Sequence, residues 1–189
     1  METEIVVTRY LIDKRTSRFT VLAFASGMLS AFGHNPVIDI RDLTGEAGFS
    51  PEAPENGYLR MRIKADSLQV SGEVSSKDLR EMERMMKEEV LEVSKYPEIV
   101  YESAGTSASQ LGEGRYRVEV AGNLTLHGMT RSQPVWAQMT ITGDMLRANG
   151  EFSILQSNYG IKLVSVAGGA LKLKDELKFT FDIVGRKQE

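Results

Sequence analysis

Two histidines, His34 and His127, are the only imidazoles in a chain that contains no cysteine. Without thiols there is no disulfide framework, zinc–thiolate site, iron–sulfur cluster or cysteine nucleophile to consider. Two imidazoles are too few for a multi-histidine metal site. Both sit in turn contexts, Gly33-His34-Asn35-Pro36 and Leu126-His127-Gly128-Met129. A lone histidine in such a place is expected to hydrogen-bond nearby backbone; the sharper alternative is a polar anchor for a ligand head group at a cavity mouth. The carboxylates fall mostly on wet strand faces or on the solvated side of a helix, so no acid–base pair stands out. No nucleophile elbow, phosphate-binding glycine loop, metalloprotease helix, dinucleotide fingerprint or calcium loop occurs. The sequon at Asn123, Leu124 and Thr125 lies inside an expected strand, a poor place for a glycan. The sequence names no catalytic residue and no metal ligand, and a protein that is not an enzyme is expected.

Charge narrows the partners. With 23 basic and 26 acidic residues the net charge is −3, which disfavours nucleic acid, whose phosphates require a basic stripe. No stretch approaches the roughly 18–20 consecutive apolar residues of a membrane span. The N-terminus is acidic at Glu2 and Glu4, and its only apolar run is residues 5–7. A secretory signal needs a basic start and a longer apolar segment, so a cytoplasmic location is expected.

The elements that must position any site are mainly strands. Period-two alternation puts apolar residues on one face at Leu59, Met61, Ile63 and Ala65, and at Tyr116, Val118, Val120, Leu124 and Leu126. It recurs at Val135, Ala137, Met139 and Ile141, at Leu146, Ala148, Gly150, Phe152 and Ile154, and at Leu177, Phe179, Phe181 and Ile183. Shorter candidates are residues 19–24, 38–49 and 99–103. One greasy and one wet face per strand indicates antiparallel sheet. Residues 76–93 break the pattern: Leu79, Met82, Met86 and Val90 recur at helical spacing, Ser75 with Asp78 caps the start, and Tyr96-Pro97 follows the end. Residues 104–114, rich in glycine and serine, read as a surface loop. The expected architecture is all-β: an eight-stranded antiparallel β-barrel with one α-helix, forming a single domain over residues 1–189 with its core at about 8–186. A two-sheet sandwich is the alternative. A barrel of about eight strands is either packed by its own side chains or holds one small ligand, and the pattern alone leaves both open. The methionines Met82, Met85 and Met86 on the helix are core packing in one case and a soft lid in the other.

Four segments in order carry a resemblance. Tyr10-Leu11-Ile12-Asp13 followed by Ser17 is one; Val90-Leu91-Glu92-Val93-Ser94-Lys95-Tyr96-Pro97-Glu98-Ile99 is the second, with Val90 and Leu91 where the family usually carries aromatics. Gly122-Asn123-Leu124-Thr125-Leu126-His127-Gly128-Met129-Thr130 is the third, and Gly150-Glu151-Phe152 with Ser157-Asn158-Tyr159-Gly160-Ile161 the fourth. Across about residues 10–185 the chain resembles the YceI family of lipocalin-like, polyisoprenoid-binding proteins. It departs at Thr16 and Ala25, where members tend to carry histidine, and at Asn158, where they carry aspartate. The resemblance implies a lipocalin-like barrel whose hydrophobic tunnel holds an isoprenoid or fatty-acyl lipid, with no other cofactor. For that function the expected wall is Phe19, Val21, Met61, Ile63, Leu124, Met139, Phe152, Phe179 and Phe181, and the expected lid is Met82 and Met86. The competing expectation is a scaffold protein with a filled barrel and an exposed apolar patch such as a homodimer face.

Overall fold

The computed structural model describes residues 6–26, 35–72, 75–166 and 171–189. The chain forms β1 (Thr8–Ile12), β2 (Arg18–Ser26), β3 (Val37–Ile40), β4 (Leu43–Phe49), β5 (Tyr58–Lys64) and β6 (Leu68–Ser71). Helix α1 (Ser76–Met85) comes next. The remainder is β7 (Glu98–Gly112), β8 (Arg115–Leu126), β9 (Met129–Ser132), β10 (Val135–Thr142), β11 (Met145–Leu155), β12 (Ser165–Val166) and β13 (Leu171–Lys187). Strands pair in the order β1-β4-β5-β7-β8-β10-β11-β13, and β1 also pairs with β13. That closes a ring of eight antiparallel strands, which leaves no free edge around the ring.

Three of the ring strands bend and continue. β2, β3 and β6 prolong β1, β4 and β5, pairing in the order β13-β2-β3-β6. The first bend explains the Asp13…Ser17 spacing. Asp13 accepts from the Arg15 amide at 3.0 Å through its side chain and from the Ser17 amide at 3.0 Å through its carbonyl. Ser17 Oγ then accepts from the Val184 amide at 2.9 Å, mending the β13 ladder where the bend interrupts it. At the other two bends a single hydroxyl serves both: Ser67 Oγ donates to the Lys64 carbonyl at 2.7 Å and accepts from the Asp42 amide at 3.1 Å.

β6 is an edge, and α1 covers it. Glu83 Oε1 accepts from the Val70 amide at 3.0 Å, so the helix supplies a partner that a neighbouring strand would have given. The helix starts as expected: Ser75 Oγ accepts from the Asp78 amide at 3.1 Å. It ends earlier than expected. Past Met85 the chain widens into a π turn over Met86–Val90, with the Leu91 amide donating to the Met86 carbonyl at 2.8 Å. Glu92 then takes a left-handed φ of 47°, which ends the helix three residues short of 93.

The segment expected as a surface loop, residues 104–114, is instead mostly strand. β7 runs to Gly112, with irregularities between Ser103 and Gly105 and between Gln110 and Gly112. Its arm pairs on one side with β8, while β5 reaches only as far as Glu102 on the other. A strand ordered by one partner's backbone, largely outside the core, need not alternate apolar and polar side chains. No helix among the described residues is long and apolar enough to cross a membrane.

Candidate ligand cavity

The barrel is hollow. A cavity of about 380 Å³ lies within it, inside the range of about 300–1,000 Å³ typical of ligand pockets. The space exists because several inward positions are small: Ala23, Ala25, Ala47, Ala137 and Ala148 all line it. Between them stand the larger groups. Phe19 stacks on Phe181 at 5.9 Å between ring centroids, Phe152 stacks on Phe179 at 4.8 Å, and Phe19 meets Phe179 edge-on at 6.1 Å. Gly150 leaves room for this cluster, since a Cβ there would lie 2.7 Å from the Phe181 ring.

Every residue expected on the wall lines this cavity: Phe19, Val21, Met61, Ile63, Leu124, Met139, Phe152, Phe179 and Phe181. Met82 and Met86 of the helix line it as well, together with Met85, Val90 and Leu91. Where β2 ends and β3 begins, the wall is Ala25, Pro36, Val164, Leu173 and the exposed Lys172. Toward the other end Phe49 meets Tyr116 edge to face at 5.0 Å, with Tyr10 and Ala53 buried.

Polar groups are few. Tyr58, Tyr101, Thr106, Gln156 and Lys172 are the polar lining side chains among the described residues, and Lys172 is the one that carries charge. Tyr101 Oη lies 2.9 Å from the Gln133 carbonyl and 3.1 Å from that of Val120, and burial pushes its pKa up to about 12. Thr106 Oγ1 donates to the Pro54 carbonyl at 2.5 Å. The ionic groups pair on the outside, as in Lys14–Asp42–Lys64 and Arg147–Asp182.

His127 is not on the wall. Its Nδ1–H donates to the Tyr159 carbonyl at 3.2 Å, and its Nε2 lies 2.8 Å from Glu92 Oε2. Tyr96 packs on the ring with centroids 4.5 Å apart. The backbone-bonded expectation therefore holds for His127, and the head-group anchor does not. His34 lies outside the described residues. The contacts also bring three of the four sequence segments together, through Tyr96, His127 and Tyr159, at the end of the helical segment.

Sequence reasoning missed Gln156. The signal was present: Phe152 and Ile154 point inward, and two residues further the same register reaches Gln156, which is buried and lines the cavity. The alanines were legible as inward but not as the source of the space.

The comparisons agree with this architecture. A family model described as the YceI-like domain matches residues 10–185. A UPF0312 protein of Pseudomonas syringae pv. tomato is 27% identical over 192 residues, covering 94% of this chain and 87% of that protein. A UPF0312 protein of Pseudomonas savastanoi pv. phaseolicola is 28% identical, covering 81% and 76%. Among solved structures, Burkholderia cenocepacia BcnA superposes with a TM-score of 0.68 at 16% identity, covering 92% of this chain and 98% of that one. A polyisoprenoid binding domain from Saccharophagus degradans, implicated in plant cell wall breakdown, superposes with a TM-score of 0.64 at 13% identity, covering 95% and 98%. At such identities these structures speak for the fold alone.

Proposed function

We propose that this chain, which belongs to the YceI-like family, binds an elongated isoprenoid or fatty-acyl lipid inside its barrel and carries it chemically unchanged. The observation that carries this reading is the cavity of about 380 Å³ walled by aliphatic, phenylalanine and methionine side chains. Such a wall offers a hydrocarbon chain about 25 cal/mol for each Å² of apolar surface removed from water, with few directional demands. The polyisoprenoid binding described for the Saccharophagus degradans domain supports the same class of cargo. The filled-barrel scaffold is disfavoured, because it requires side chains to meet across the axis where the cavity lies. An enzymatic role lacks a paired acid and base on the wall, where Lys172 is the only charged group among the described residues. The methionines of the helical segment suit a lid that adapts to cargo of differing shape.

Mass spectrometry of an organic extract from freshly purified protein tests the reading. An isoprenoid or acyl species at near-stoichiometric amount is expected. An extract without one, repeated from a host that makes such lipids, would sink it.

A further inference from the structure

Apart from the tyrosines, Ser50 and Gln156 are the buried polar side chains among the described residues, and only Gln156 lines the cavity. Burying an amide against hydrocarbon is costly unless its polar atoms are used. Half of this one is used. Gln156 Nε2 donates to the Lys174 carbonyl at 3.0 Å, which fixes the amide's orientation, since Oε1 in that place would face another acceptor. Oε1 has no partner among the described residues. No buried side-chain nitrogen or oxygen among them is both sealed off and without a partner. Gln156 is among the residues that line the cavity.

The side chain is held in place from behind. Between Leu173 and Leu177 the register of β13 against β2 advances by four residues while β2 moves from Ala25 to Ala23, a bulge of two extra residues. The bulge contains Lys174 and Asp175. Asp175 accepts from the Ser157 amide at 2.8 Å and from the Ser157 hydroxyl at 2.5 Å. Those bonds, and more weakly the backbone N–H of Gln156, hold its carboxyl below the usual range. The turn over Gln156–Tyr159 and the bulge thus brace one another, and Gln156 presents an acceptor already oriented.

We propose that Gln156 recognises the polar head of the cargo, its Oε1 accepting a hydrogen bond from a hydroxyl or N–H at the end of an otherwise apolar chain. This assignment rests on the apolar-cargo reading above. A prenyl alcohol or phenol supplies the required proton. A methyl ether of the same chain does not, and a carboxylate brings only acceptors and would turn instead to Lys172.

The test is calorimetric titration of the full chain with farnesol, farnesyl methyl ether and farnesoic acid. One neutral hydrogen bond predicts that farnesol binds about threefold to tenfold more tightly than the ether. Gln156→Met should remove that preference while leaving the ether's affinity within about twofold, since Met occupies similar volume. Equal affinities for alcohol and ether in the unmodified protein would overturn the assignment alone. So would tightest binding by the acid, or a preference that survives Gln156→Met. If Gln156→Met fails to fold, the alcohol-to-ether ratio of the unmodified protein decides. Binding of none of the three chains overturns both this assignment and the apolar-cargo reading.

Discussion

At the scale of single residues, Tyr101 shows how a polar group is accommodated in a greasy wall. Its ring lies over Gly122, where a Cβ would collide with it, and its hydroxyl faces the carbonyls of Val120 and Gln133. Burial raises its pKa to about 12, and burial also raises those of Tyr10 and Tyr159. The sign of the pH effect follows. Between the ordinary tyrosine value of 10.0 and about 12, the unfolded chain has released a proton that the folded chain keeps. Stability is therefore complete below pH 10 and falls as pH rises toward 12. Thermal unfolding followed across that window should show a falling midpoint, with a shallower slope in Tyr101→Phe; an unchanged slope would contradict the assignment. This scale is also where the sequence was most informative. Phe152, Phe179 and Phe181 were legible as inward because a strand's side chains alternate strictly. Gln156 was passed over although the same register reaches it, because a glutamine followed by Ser157 and Asn158 has the composition of an exposed turn.

At the scale of elements, the helical segment is fastened at both ends and along its length. Ser75 caps its start, Glu83 pairs with the edge of β6, and Glu92 meets His127 just beyond the π turn. With a carbonyl on one ring nitrogen and a carboxylate on the other, His127 joins the barrel's β8–β9 turn to the end of the segment bearing Met82, Met85 and Met86. The contact is partly exposed, so its worth to global stability is about 0.5–1 kcal/mol or less. Its local effect should be larger. In Glu92→Ala, amide hydrogen exchange over residues 86–91 should quicken several-fold while the strands of the ring keep their protection. Uniform acceleration across the barrel would show that the contact is not a local fastening. The sequence located the helix through its cap and its three-and-four spacing, yet placed its end at 93. Nothing in the residue types announces a π turn, and Glu92 is not the glycine that usually marks a left-handed terminus. The arm of β7 was missed for a related reason: it is ordered by hydrogen bonds to β8, which side-chain patterning does not record.

At the scale of the whole molecule, the question left open by the sequence is whether the barrel is filled. Alternation reports which side chains face inward, not whether they meet. The answer lies in the sum of their volumes around a closed ring, a quantity set by which strands become neighbours. Ala148 illustrates the point. In sequence it is one more inward residue; in the ring it pairs across to Met139 and Ile183 and opens onto the cavity with Ala137, Ala47 and Ala23. Enlarging it separates the two cases. In a packed interior Ala148→Phe would overfill the core and cost about 1–3 kcal/mol. In the hollow barrel the ring enters existing space, so the unfolding midpoint should hold or rise while the amount of extracted lipid falls by about tenfold. A destabilised variant that still carries its full complement of lipid would mean that the cargo, if any, lies elsewhere than in the space beside Ala148.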